Sequence, residues 1–133
     1  MRTRAYVILG ALVALAIAAV ASGASTPGVT STEVVIGGTT PLTGSASAYQ
    51  SVARGAAAYF KYANSKGGVN KRKIKYIYKD DGYDPARTSE QTRELVQQDK
   101  VFAIFNSLGT EQNQATRPYL NAIKVPQLFV ASG

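Results

Sequence analysis

The amino-acid sequence predicts an α/β fold in which a parallel sheet carries helices on both faces. Three observations lead there. From Glu33 onward, short apolar runs alternate with segments of helical periodicity, in the order β-α-β-α-β-α-β. Helix stop and start signals, Gly67-Gly68 and Asp84-Pro85, separate them. Hydrophobic residues make up 45% of the 133-residue chain and charged residues 17%, the composition of a globular protein.

Before the first strand lies a segment of another kind. Arg2 and Arg4 precede an apolar run from Tyr6 to Ala21, followed by small residues. A basic start, an apolar core and the A-x-A triplet Ala19-Val20-Ala21 are the parts of a secretory signal, so residues 1–21 are expected to be a signal peptide. The triplet Ser22-Gly23-Ala24 fits less well, and an uncleaved membrane anchor is the other reading. Removing residues 1–21 takes two arginines off the net charge of +7 and leaves +5. Residues 22–32, rich in Ser, Thr, Gly and Pro, are expected to be a flexible leader.

The first strand is Glu33-Val34-Val35-Ile36-Gly37-Gly38, an apolar run closed by glycines. A loop from Thr39 to Ala46 follows. A helix over about Ala48 to Lys66 places Val52, Ala56, Tyr59, Phe60 and Ala63 on one stripe. Gly55 interrupts it at a cost of about 1 kcal/mol, for which close packing on the sheet is the expected compensation. Lys73 to Lys79 alternates, with Ile74, Tyr76 and Tyr78 on one face and Lys73, Lys75 and Lys79 on the other. Lysines along one face place this strand at a sheet edge. The turn Asp80–Tyr83 precedes a helix from Asp84-Pro85 to about Gln98, whose thin stripe (Ala86, Thr92, Leu95, Val96) keeps it at the surface. Val101–Phe105 reads as the most buried strand. After the loop Ser107–Thr110 a helix extends to about Ile123, either kinked or divided at Pro118. Pro126–Ala131 reads as the fourth strand.

The residue inventory narrows the chemistry. Without cysteine or histidine the chain has no disulfide, no Cys/His zinc site, no cysteine nucleophile and no histidine triad. The first loop lacks G-x-G-x-x-G spacing and the lysine of a P-loop. Its Thr39, Thr40, Thr43, Ser45 and Ser47 suit either a small polar ligand or an ordinary turn. Asp80 and Asp81 read as a solvated turn in preference to a metal site or acid/base pair. Lys71, Arg72, Lys73 and Lys75 read as a solvated edge, with no nucleic-acid partner. Ligands of parallel sheets sit beyond the carboxyl ends of the strands. There Ser107-Leu108-Gly109-Thr110 stands before a helix, whose first N–H groups hold anions such as a carboxylate. Simple capping of that helix by Thr110 is the plainer alternative.

Several motifs stand in a familiar order: Ile36–Gly44, Tyr49, Arg54-Gly55-Ala56, Asn64–Asn70, Asp80-Asp81 through Asp84-Pro85, and Pro126–Gly133. Together they resemble the start of the periplasmic leucine/isoleucine/valine-binding proteins, the substrate-binding subunits of ABC transporters for branched-chain and related amino acids. The resemblance covers Glu33 to Gly133. It implies a Rossmann-like parallel sheet, the incomplete N-terminal lobe of a type I periplasmic binding protein. It implies binding without catalysis, no cofactor and no metal. The implied partners are a small-molecule ligand (an amino acid or similar) and a membrane permease. By position, Ser107, Leu108, Gly109 and Thr110 correspond to the family's third-strand binding loop, with the Ser107 and Thr110 hydroxyls and the Gly109 N–H as donors. Tyr49 corresponds to an aromatic residue lining the cleft, and Ser132 and Gly133 begin the fourth-strand loop. The expected location is periplasmic or extracellular, and without cysteine there is no lipid anchor. The sequence is expected to be a truncated copy that binds poorly. The sensor domain of a receptor with the same fold is the alternative; an enzyme on a flavodoxin-like sheet and an adhesion module are more distant rivals.

Overall fold

The computed structural model describes residues 25–132. The expected signal peptide and Gly133 lie outside them. Four strands, β1 (Glu33–Thr40), β2 (Lys73–Asp80), β3 (Ala103–Phe105) and β4 (Gln127–Leu128), form one sheet in the order β2-β1-β3-β4. Every pairing is parallel. Three α-helices alternate with them: α1 (Ser51–Ser65), α2 (Pro85–Gln97) and α3 (Thr110–Ile123).

This order places the helices. The chain leaves β1 toward β2 in one direction, then returns past β1 to β3 and on to β4. Right-handed crossovers in opposite directions put α1 on one face and α2 and α3 on the other. Phe60 of α1 meets Tyr76 of β2 and Phe105 of β3 edge-on, with ring centroids 5.6 and 5.3 Å apart. On the opposite face Leu95, Val101, Ile104 and Leu120 form the buried core, flanked by Val35, Ile77, Val96, Tyr119 and Val125.

The strand carrying the lysines is at the edge, as expected. Lys73 and Lys75 are exposed, while Lys79 folds onto Glu94 (2.5 Å) and Asp99 (3.0 Å). Helix α1 ends as its glycines require. Gly67 N–H donates to Asn64 O (3.2 Å) and Gly68 N–H to Ala63 O (3.0 Å), the paired bonds of a Schellman motif. At α2, Asp84 caps the helix by accepting from Arg87 N–H at 2.8 Å, with Pro85 in the first turn.

Several local expectations change. The segment 25–32 is not a loose leader: Val35 N–H donates to Gly28 O, Lys73 N–H to Thr32 O, and Arg72 Nε to Thr30 O, all within 2.8 Å. Strand β1 runs on through Thr39 and Thr40. Tyr59 is 66% exposed, because the face of α1 that meets the sheet is centred on Ala53 and Phe60. Gly55 faces open space, and no close packing compensates for it. Strand β4 is two residues long, since Phe129 takes a left-handed φ of 51° and ends the regular pairing. Helix α3 is continuous through Pro118, where the exposed side lets the unpaired Gln114 carbonyl meet water.

Candidate functional site

The chain reverses direction across the sheet between β1 and β3, so their carboxyl ends flank the topological switch point. The loops after all four strands open on this side. Their side chains bind one another closely.

Asp80 ties the second loop to the first. Its Oδ1 accepts from the N–H groups of Leu42 (2.8 Å), Thr43 (3.1 Å) and Gly82 (3.0 Å). Its Oδ2 accepts from the Thr43 hydroxyl (2.6 Å) and the Arg87 guanidinium (3.3 Å). Partial burial works against the charge, yet the Thr43 hydroxyl and the Gly82, Leu42 and Thr43 N–H groups hold the carboxyl down at about 2. Asp81 is fully buried. That burial pushes its carboxyl above the ordinary value, against bonds from Tyr83 N–H (3.0 Å) and the Thr88 hydroxyl (3.1 Å). The expected solvated turn is therefore a buried fastening. Asp80 and Asp81 are spent on N–H and hydroxyl donors, and no group of three or more His, Cys, Asp or Glu among the described residues could hold a metal ion.

Of the first-loop hydroxyls only Ser45 and, in part, Ser47 stand toward solvent without a protein partner. Thr39 and Thr40 are buried in β1, and Thr43 serves Asp80. Tyr49 lies in a short 3-10 turn, Ser47–Gln50, and is 59% exposed.

The third loop is joined to the second by Gln112, whose Nε2 donates to Tyr83 O at 2.7 Å. Gly109 has to be glycine. Its φ is 107°, and a Cβ there would collide with Gln112 Oε1 and lie 2.9 Å from the Tyr83 ring. Ser107 and Leu108 are buried. The Ser107 hydroxyl donates to Asn113 Oδ1 at 2.7 Å, so its proton is engaged within the protein. The Gly109 N–H donates to Ala131 O at 3.2 Å, so it is not the free donor expected from the sequence. Thr110 is exposed and is the first residue of α3; Gly109 is the cap position, so Thr110 does not cap the helix.

Donors remain at the helix end. The first helical bond of α3 is made by Asn113 N–H to Gly109 O (3.0 Å). The N–H groups of Thr110, Glu111 and Gln112 precede it and face beyond the helix, with the positive end of its dipole. The fourth loop follows alongside: Leu108 pairs with Ala131, and Ala131 N–H donates to Ser107 O at 3.0 Å. Ser132 is exposed next to it. A cavity of about 220 Å³ lies on the outer flank, lined by Thr110, Asn113, Gln114, Arg117, Gln127 and Val130.

The structure thus brings Ser107, Leu108, Gly109, Thr110 and Ser132 together, while Tyr49 stands on the exposed turn beyond β1. Reading the sequence overlooked Gln112, Asn113 and Gln127. One signal was present for Asn113: a short amide in the first turn of a helix reaches the carbonyl four residues back.

Comparison with known proteins gives a consistent result. The family model described as periplasmic binding protein matches residues 33–133. A Leu/Ile/Val-binding protein homolog 2 from Brucella abortus is 36% identical over 78 residues, covering 56% of this chain and 21% of that protein. A fatty acid ABC transporter substrate-binding protein from Thermomonospora curvata has a TM-score of 0.70 at 30% identity, covering 77% of this chain and 27% of that one. The branched-chain amino acid transporter substrate binding protein from Streptococcus pneumoniae, in complex with isoleucine, has a TM-score of 0.69 at 25% identity, covering 75% and 29%. The match spans about a fifth of the length of the curated relative and under a third of either structure.

Proposed function

Because the chain belongs to the periplasmic binding protein family, we propose that it supplies one wall of a cleft that binds a branched-chain or related amino acid outside the cytoplasmic membrane. The protein is a binder in this reading, not an enzyme, and it delivers its ligand to the permease of an ABC transporter. One observation carries the reading: the N-terminus of α3 opens at the topological switch point, with the Ser107–Thr110 loop leading into it. The similar proteins from Brucella abortus, Streptococcus pneumoniae and Thermomonospora curvata are named for leucine, isoleucine and valine, for branched-chain amino acids and for a fatty acid. What these molecules share is a carboxylate. The N–H groups of Thr110 to Gln112, aided by the exposed Thr110 hydroxyl, suit that group. Tyr49 and Ser132 border the same side, and we assign them to the apolar and ammonium ends of the ligand.

One wall leaves much of a ligand in water, so this segment alone binds weakly. The test is an NMR titration of the chain with leucine, isoleucine and valine, against leucinol, which lacks the carboxylate. Resonance shifts confined to residues 107–112 with the amino acids, in the millimolar range and absent with leucinol, support the reading. Shifts elsewhere, equal shifts with leucinol, or none at all overturn it. Micromolar affinity would show that the wall suffices by itself.

A further inference from the structure

Asn113 sits in the first turn of α3 and is 8% exposed. Its side chain is fully used. Nδ2 donates to Gly109 O at 2.6 Å, and its second hydrogen lies between Ser107 O (3.3 Å) and Ser132 O (3.4 Å). Oδ1 accepts from the Ser107 hydroxyl (2.7 Å) and from Gln127 Nε2 (2.6 Å). Gln127 Nε2 also reaches Ser107 Oγ at 3.1 Å. Only the bond to Gly109 O, which also accepts the Asn113 backbone N–H, is local to the helix end. Two of the others reach Ser107, in the loop after β3, and two reach β4 and the loop after it, 14 and 19 residues along the chain.

We propose that Asn113 is a positioning residue that makes the loops after β3 and β4 a single ligand-facing unit. What that unit faces rests on the reading under Proposed function. The chemistry is specific to an amide. An aspartate would turn an oxygen toward three carbonyl oxygens, and a leucine would leave the Ser107 hydroxyl without its acceptor and the Gln127 amide with Ser107 Oγ alone. A buried network of this kind fixes geometry only while every member is satisfied. The backbone bonds it holds in place are Gly109 N–H to Ala131 O and Ala131 N–H to Ser107 O.

Amide hydrogen exchange on the full chain tests this. In Asn113→Asp, exchange at Gly109 and Ala131 should rise about tenfold more than at Ile77, which pairs within the β1–β2 ladder and reports global opening. A merely destabilised fold would raise all three together, and that result, or no change, overturns the proposal. If Asn113→Asp fails to fold, Gln127→Leu decides. It removes one donor from the network, and its excess exchange should be smaller but again confined to Gly109 and Ala131; a uniform rise or no change overturns the proposal there too. Leucine is titrated in parallel. Wild-type chain without leucine shifts at residues 107–112 refutes the ligand reading, while the exchange comparison still decides the role of Asn113. Wild-type shifts that persist unchanged in Asn113→Asp count against positioning.

Discussion

At Asp80 five donors surround a carboxylate that is largely shielded from solvent. Its folded value near 2 lies below the ordinary 3.8, so its stabilisation is present above 3.8 and is lost as the pH falls toward 2. Asp81 acts in the opposite sense. Its raised value favours the proton in the folded state, so stability falls as the pH rises from 3.8 through that value. Asp80→Asn should therefore lower Tm at neutral pH and flatten its fall in acid, while Asp81→Asn should remove the decline on the other side. Melting curves of the three proteins between about pH 2 and pH 7 check this. Asp80→Ala should cost roughly 1.5–3 kcal/mol in urea unfolding, the range for hydrogen bonds to a charged group. The pair of aspartates was visible in the sequence; its burial was not. A turn of Asp, Asp, Gly and Tyr reads as solvated until the first loop folds over it from some forty residues away.

Among the elements, the glycines within and just after α1 give opposite predictions. Gly55 is exposed, and a Cβ added there would meet nothing within 4 Å, so Gly55→Ala should stabilise the chain by about 1 kcal/mol. Gly68 has a φ of 78°, and a Cβ there would collide with the Arg72 carbonyl. Gly68→Ala should cost more than about 1 kcal/mol. Thermal melts of both variants decide the pair. Helix ends were legible because capping is local: Asp84-Pro85 and Gly67-Gly68 work through neighbours in the chain. The end of β4 was not legible. Leu128, Phe129 and Val130 have strand composition, but the left-handed backbone at Phe129 overrides it. Tyr59 misled for a related reason. It is one position from Phe60, but consecutive helical residues point about 100° apart, so Phe60 meets the sheet and Tyr59 turns to solvent.

Over the whole molecule, the core between the sheet and the pair α2 and α3 is small. Leu95 is completely buried at its centre, and Leu95→Ala should cost about 2–5 kcal/mol, read from denaturant unfolding. Lys79 ties the edge strand to this layer. Burial works against its charge, but Glu94 and Asp99 hold it above its ordinary value, so this stabilisation is present below 10.5 and fades as the pH climbs through the raised value. The parallel order and the helices on both faces were legible from the alternation of elements. The joining of the four loops was not, because it depends on Asn113, Gln112 and Asp80 reaching across segments. The placement of β1 also sets when the molecule can form. Ile36 pairs with Tyr76 on one side and Ala103 on the other, so the first strand to be synthesised can fill its β2 side once Asp80 has emerged but its β3 side only after Ile104. Contacts this distant in sequence make folding late and slow relative to helix formation. The sheet therefore closes from its β2 edge toward β4, and its second half waits for the C-terminal part of the chain.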